Sequence, residues 1–341
     1  VSVVTGIGVA LPRSVGQDVL WEQYFRRHFG DSALARRVFA GAGVRSRNSV
    51  VDPVAEDVSG WSTGERMARF AEEAPPLAVR ALTNALADAG MAADELGLLT
   101  VVSCTGYGTP GLDIGLAAAL DLPADTQRLV IGHMGCHAAL PGLRSVSDFV
   151  AASGQPAALV CVELTSLHVQ PPSKDPEQMV AHSLFSDAAA AVVVRPSGPG
   201  WAVVDVAAHT EADSRELMTW TVTDQGFRMG LSARVPEVFA ASVRPAVEKL
   251  LARHGAEIGD VAGWAVHPGG PRILDTVQAA LDLPAAALEP SRAVLAAHGN
   301  CSSATVLLVL RELSARPGEL VVALAFGPGL TLYTVLLRGT A

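Results

Sequence analysis

Gly135-Cys136-His137-Ala138-Ala139 is the stretch on which the reading of this chain turns. It follows the apolar run Leu129-Val130-Ile131 and precedes a weakly amphipathic segment over 137–152, so the cysteine is expected where a strand gives way to a helix. Peptide N–H groups at a helix N-terminus have no intrahelical partner and carry partial positive charge, which favours a thiolate over a thiol. Taken alone, the position equally suits a small apolar filler, the commoner fate of a buried cysteine. The recurrence of the pattern carries more. Gly299-Asn300 opens a second helix over 302–313, and in both places two strands follow: 158–162 and 188–194 after Cys136, 320–325 and 330–337 after Asn300. The repeated order reads as an internal duplication that sets Cys136 and Asn300 at facing helix N-termini, near a seam of the kind where ligand sites form.

Around this repeat the chain alternates strand and helix in the manner of a layered α/β fold. Residues 1–10 alternate as a strand, and helices are expected over 18–29 and 31–39. Residues 45–66, rich in Ser, Asp, Gly and Arg, read as an excursion over the surface. An amphipathic helix is expected over 76–89, closed by Gly90. The strand 98–103 leads into Cys104-Thr105-Gly106-Tyr107-Gly108-Thr109-Pro110-Gly111, a glycine-rich loop without the Gly-Lys-Ser/Thr ending of a phosphate loop. In the second half, the strand 263–266 ends in His267-Pro268-Gly269-Gly270 and a helix follows over 272–281.

The 341 residues are long enough for a large core, and half are hydrophobic while 17% are charged. The net charge of −9, with Lys and Arg scattered, excludes a nucleic-acid backbone as an expected partner. No apolar run reaches the length of a membrane span. Cysteines 104, 136, 161 and 301 show no metal-binding or CxxC spacing, and no signal-like segment stands in the chain as given. Reduced thiols in a cytoplasmic protein are therefore expected. Cys136, His267 and Asn300 each have a plain structural explanation, as filler, satisfied core imidazole and N-cap. All three nevertheless fall at strand-to-loop or strand-to-helix junctions, where a rigid scaffold presents chemistry.

At these residues the chain resembles the type III polyketide synthases, the chalcone-synthase-like members of the thiolase superfamily, and within them the bacterial alkylpyrone and alkylresorcinol group. The resemblance runs over nearly the whole length. It rests on Gly135-Cys136, Leu184-Phe185-Ser186-Asp187-Ala188, Trp264-Ala265-Val266-His267-Pro268-Gly269-Gly270-Pro271-Arg272, Gly299-Asn300-Cys301-Ser302-Ser303-Ala304 and Phe326-Gly327-Pro328-Gly329. It implies an α/β thiolase-like fold of two duplicated αβαβα halves, residues 1–196 with the nucleophile and 197–341 with the histidine and asparagine. Cys136 would hold an acyl group taken from a CoA thioester, His267 would activate it, and His267 with Asn300 would stabilise the enolate formed when malonyl-CoA (or methylmalonyl-CoA) loses carbon dioxide. Repetition would build a polyketide such as a pyrone or resorcinol, with no metal or redox cofactor. Ketoacyl synthase III enzymes, usually His-Gln-Ala-Asn where this chain has His-Pro-Gly-Gly, are the alternative enzyme. A silent thiolase-fold scaffold is the alternative without chemistry.

The resemblance also implies a substrate pocket formed by Phe185 as a gate, Met229 in place of a second gatekeeping phenylalanine, and Trp220 where plant enzymes keep glycine. Thr105, Cys104, Thr165 and His168 would line it. The indole favours an aliphatic starter over a bulky aromatic one. Arg37 and Arg272 are the expected CoA-phosphate contacts. Thr109-Pro110 aligns with a segment that reaches into a partner's cavity, which implies a homodimer. His137 and Ala139 depart from the family's usual Gly-Cys-x-Ala-Gly.

Overall fold

The computed structural model describes residues 2–314 and 316–341. Its strands are β1 (Val3–Ala10), β2 (Ser14–Gly16), β3 (Ser46–Asn48), β4 (Leu98–Ser103), β5 (Gln127–Gly132), β6 (Ala157–Leu164), β7 (Asp187–Arg195), β8 (Gly200–Thr210), β9 (Met218–Thr223), β10 (Gly226–Leu231), β11 (Val261–Val266), β12 (Leu320–Gly327) and β13 (Thr331–Thr340). Nine of them form one sheet in the order β11-β12-β13-β8-β1-β7-β6-β4-β5. The order mirrors about the β1–β8 junction: β1 pairs antiparallel with β7, β7 with β6, and β6 parallel with β4. On the other side β8, β13, β12 and β11 repeat the same three relations. At the junction itself Val3↔Ala202 and Val4↔Trp201 pair, and Val203 N–H donates to Ser2 O at 2.9 Å. Among the described residues of this sheet, β5 alone has no counterpart.

Strand alternation explains the layering. In β6, Leu159 and Cys161 face one core while Ala158, Val160 and Val162 face another. In β12, Val321, Ala323 and Ala325 face the first core, and Val322, Leu324 and Phe326 a third. The shared first core is filled by the helices Ala139–Ser153 and Thr305–Arg311. The helix Thr63–Asp88 covers the outer face of the first half, and Val235–Ala252 with Pro271–Leu281 covers that of the second. The result is a five-layer αβαβα arrangement with the two duplicated helices at its centre. Each central helix is preceded by the segment carrying Cys136 or Asn300.

Two expectations need correcting. The helix expected over 76–89 begins at Thr63, where Ser62 and Glu65 form a capping box, and runs through Pro75 and Pro76 to Asp88. The prolines remove two N–H donors, but Phe70, Ala74, Leu77, Ala78, Ala81 and Ala85 bury one continuous face and outweigh that loss. Residues 45–66 are also not all surface. Arg47 and Asn48 are buried in β3, which pairs with β2. Asn48 N–H donates to Ser186 Oγ (2.8 Å) and its Nδ2 to Pro12 O (3.0 Å), so the partners that make burial tolerable lie far away in sequence.

At the sheet's outer edge, β5 exposes Leu129 and Val130, the latter by 53%. No helix among the described residues is long and apolar enough to cross a membrane.

Candidate active site

Cys136 lies in the turn between β5 and the helix Ala139–Ser153, three residues ahead of the first helical residue. Gly135 before it has φ +79°, and a Cβ there would stand 2.5 Å from Cδ of Pro328. Only glycine lets the Gly327-Pro328-Gly329 loop press this close. Cys136 is 7% exposed, and Ser302 and Asn300 are the polar side chains that favour its thiolate.

Asn300 is fixed on all sides but one. Its N–H donates to Leu184 O (2.8 Å), and its carbonyl accepts from Ser186 N–H (2.9 Å). Its Oδ1 accepts from Ser302 N–H at 2.9 Å, so it does cap the turn that follows. That bond leaves Nδ2 as the outward donor, and its one acceptor, Gly269 O, lies at a long 3.4 Å. His267 sits just beyond the end of β11 with its N–H on Leu324 O (2.7 Å). The imidazole is 1% exposed, and neither ring nitrogen has a partner among the described residues. A buried imidazole with both nitrogens uncommitted is poised to accept one proton and donate another.

Cys136, His267 and Asn300 line one cavity of about 780 Å³. Arg37 and Arg272, both exposed, stand on the same cavity. Phe185 and Met229 line it too, and they also line a second, smaller inner cavity of about 60 Å³ together with Thr165, His168 and Trp220. The gate position expected for Phe185 and Met229 therefore coincides with the wall between two spaces. His168 accepts from Phe227 N–H at Nδ1 (3.0 Å), which places the proton on Nε2 for donation to Thr105 O (2.7 Å). Stacked on Phe227 and buried, it is pushed down to about 4 and stays neutral. Trp220 Nε1 donates to Cys104 O at 2.7 Å, so the indole is locked across the cavity.

Cys104 and Thr105 line neither cavity. They are buried on Glu163, whose carboxylate accepts from Cys104 N–H (3.0 Å) and Thr105 Oγ1 (2.8 Å) and from Ser303 Oγ. Ser302 Oγ lies 3.3 Å from Cys104 Sγ and also favours the thiolate of Cys136, so it stands between this carboxylate cluster and Cys136. Glu163 and Ser302 were not singled out from the sequence. A lone glutamate in the otherwise apolar strand 157–164 was the available signal.

His137 turns away from the cavity. Its ring stacks on Tyr333 (centroids 5.4 Å, planes 8° apart), and its Nδ1 fills the space that a side chain at Gly327 would need. Ala139, the other departure from the pattern, is fully buried as the first residue of the central helix.

Burial dominates the electrostatics. It pushes the Cys136 thiol up to about 12, against hydrogen bonds from Ser302 and Asn300, and pushes the His267 imidazole down to about 3. The lowering expected from a helix N-terminus is outweighed because the cysteine lies before the helix and almost out of water. Neither charge is stable alone. A proton passed from Sγ to the ring would create both charges at once, each then offsetting the desolvation of the other.

Models of the chalcone and stilbene synthases match this chain twice, the N-terminal domain over residues 1–199 and the C-terminal domain over 206–341. The 1,3,6,8-tetrahydroxynaphthalene synthase of Streptomyces peucetius subsp. caesius is 37% identical over 323 residues, 90% of this chain and 84% of the relative. The α-pyrone synthesis polyketide synthase-like Pks18 of Mycobacterium tuberculosis is 32% identical over 359 residues, 98% of this chain and 91% of the relative. Among solved structures, 1,3,6,8-tetrahydroxynaphthalene synthase from Streptomyces coelicolor A3(2) superposes with a TM-score of 0.94 at 29% identity, covering 99% of each chain. PKS-I from the brown alga Ectocarpus siliculosus gives 0.91 at 28%, covering 99% of this chain and 98% of its own.

The coupling of the two charges has a direct readout in thiol alkylation. With His267 present, iodoacetamide is expected to label Cys136 at pH 7. In His267→Ala the thiol stands alone near its raised value, so labelling at pH 7 slows by about 100-fold or more and climbs about tenfold per pH unit from pH 7 to 10. A variant that labels as fast as the parent at pH 7 contradicts the coupling.

Proposed function

Because the chain belongs to the chalcone and stilbene synthase family and is a type III polyketide synthase, an acyltransferase, we propose that it condenses an aliphatic acyl-CoA starter iteratively with malonyl-CoA through an acyl thioester on Cys136. What supports this most is the convergence of Cys136, His267 and Asn300 on one cavity, with both His267 nitrogens uncommitted. In the first step Cys136 gives its proton to His267 as Sγ attacks the starter thioester, and CoA leaves as the thiol. In the second, malonyl-CoA loses carbon dioxide, and the enolate oxygen that develops is met by N–H donors of His267 and of Asn300 Nδ2. The long contact from Asn300 to Gly269 O is readily exchanged for a shorter one to an anion. The carbanion then attacks the acyl-Cys136 carbonyl, Sγ departs, and the chain lengthened by two carbons is carried on CoA for another round.

The same reading assigns Arg37 and Arg272 to the phosphates of CoA, since both cations stand on the cavity and neither forms a salt bridge among the described residues. It divides the chain into halves 1–196 and 197–341. The narrow inner cavity beside Trp220 favours an aliphatic starter over a bulky ring, and a pyrone or resorcinol follows from short extension and ring closure. No metal or redox cofactor enters the scheme. A homodimer is supported by the exposed Leu129 and Val130 on β5, the end strand of the sheet.

Two experiments test the proposal. Incubation with acyl-CoA starters and malonyl-CoA, without any acyl carrier protein, is expected to give polyketide products by mass spectrometry; a requirement for carrier protein contradicts it. Trp220→Gly is expected to extend the accepted starters to bulkier chains or to change product length. A product spectrum identical to that of the parent removes the indole from the cavity's specificity.

A further inference from the structure

β9 and β10 stand apart from the main sheet as a two-stranded ribbon, and such a ribbon has little stability of its own. Its place therefore depends on what holds its free edges. On the edge of β10 turned away from β9, side chains meet the backbone at every second residue. Gln170 Nε2 donates to Gln225 O and Phe227 O (both 3.2 Å), and Phe227 N–H donates to His168 Nδ1 (3.0 Å). Gln178 Nε2 donates to Met229 O (2.7 Å), and Leu231 N–H donates to Glu177 Oε2 (3.0 Å). His168, Gln170, Glu177 and Gln178 thus stand where a third strand would.

The bond at Met229 bears directly on the site. Met229 and Phe185 each line both the catalytic cavity and the inner one. Phe185 follows directly on the helix Pro176–Leu184, and Gln178 lies in the first turn of that helix. One helix therefore holds both wall residues, Phe185 by covalent continuity and Met229 through the amide of Gln178. The end of the helix is tied to the triad as well, since Leu184 O accepts from Asn300 N–H (2.8 Å). Gln178 is buried, and its Oε1 has no partner among the described residues. A buried acceptor left unpaired is costly, and an apolar side chain of similar size would avoid that cost. What the amide supplies and an apolar side chain could not is the donor to Met229 O.

We propose that Gln178 is a positioning residue for starter selection: by holding the β10 backbone at Met229, it keeps the wall between the two cavities closed to a long acyl chain carried on Cys136. The inference rests on the acyl-Cys136 reading above and adds to it the residue that sets how far the chain passes toward the inner cavity. Without the amide donor the backbone at Met229 is free to shift, and the unbranched, adaptable Met229 side chain yields to a longer chain.

The test follows acylation of Cys136 by quenched intact-protein mass spectrometry, without malonyl-CoA, using hexanoyl-CoA as the short starter and dodecanoyl-CoA as the long one. The long-to-short rate ratio is read on one preparation at a time, so that any inactive fraction cancels. Gln178→Met, which keeps an unbranched chain but removes the donor, is expected to raise the ratio by about fivefold or more, and Met229→Ala to raise it at least as far. In the double variant the ratio is expected to match that of Met229→Ala alone, because Gln178 acts through Met229. A smaller rise, no change or a fall in Gln178→Met overturns the proposal, as do two effects that multiply in the double variant. A ratio that Met229→Ala leaves unmoved overturns it whether or not Gln178→Met folds. Adducts on Cys136 with an unmoved ratio leave the acyl-cysteine reading standing; no adduct from either starter overturns both.

Discussion

The chemistry depends on a reciprocal clamp between the two halves. The segment Leu184–Ser186, from the first half, holds the backbone of Asn300 in the second through two hydrogen bonds, and the Pro328 loop of the second half presses against Gly135 beside the nucleophile in the first. Each such bond contributes about 1 kcal/mol net. Their greater effect is positional, because three side chains from distant stretches must meet within fractions of an ångström. The duplicated fold achieves this by putting both central helices in one shared core, so that the segments leading into them arrive side by side. A shift of either helix along that core would separate Cys136 from Asn300.

Burial then sets the chemistry's terms. With the thiol of Cys136 pushed up and the imidazole of His267 pushed down, burial disfavours either charge on its own, and in the proposed reaction the two would form together. In the proposed decarboxylation the same dryness would strengthen the donors of His267 and Asn300 toward an enolate. It also forces the neighbouring polar groups to be neutral or fully bonded. His168 is held as a neutral ring between Phe227 N–H and Thr105 O, and Glu163 collects donors from Ser103, Cys104, Thr105 and Ser303.

Much of this was legible in the sequence. The duplicated glycine–residue–helix–strand–strand order locates the central helices, and the motifs around Cys136, His267 and Asn300 single these three residues out. They meet on one cavity because each sits at a junction of the repeated unit. What was missed shares a physical cause: long-range pairing. Arg47 and Asn48 looked like surface loop because their partners, His182, Phe185 and Ser186, lie more than a hundred residues away. Glu163 gave only the faint signal of one carboxylate in an apolar strand. Cys104 and Thr105, expected on the pocket wall, lie behind it on that carboxylate. The helix start at Thr63 was hidden by Pro75 and Pro76, which read locally as a beginning. The direction in which burial moves the cysteine could not be read locally, since a helix N-terminus and a dry core act in opposite senses.

The central claim is that one thiol, held at the seam of the two halves, carries the acyl group. Its most direct test is a crystal structure of the protein after brief exposure to an acyl-CoA without malonyl-CoA. The account predicts density continuous from Cys136 Sγ into the cavity, with the thioester carbonyl oxygen directed at His267 and Asn300. An acyl group on Cys104, or one bonded to Cys136 with its carbonyl turned away from both donors, would contradict it.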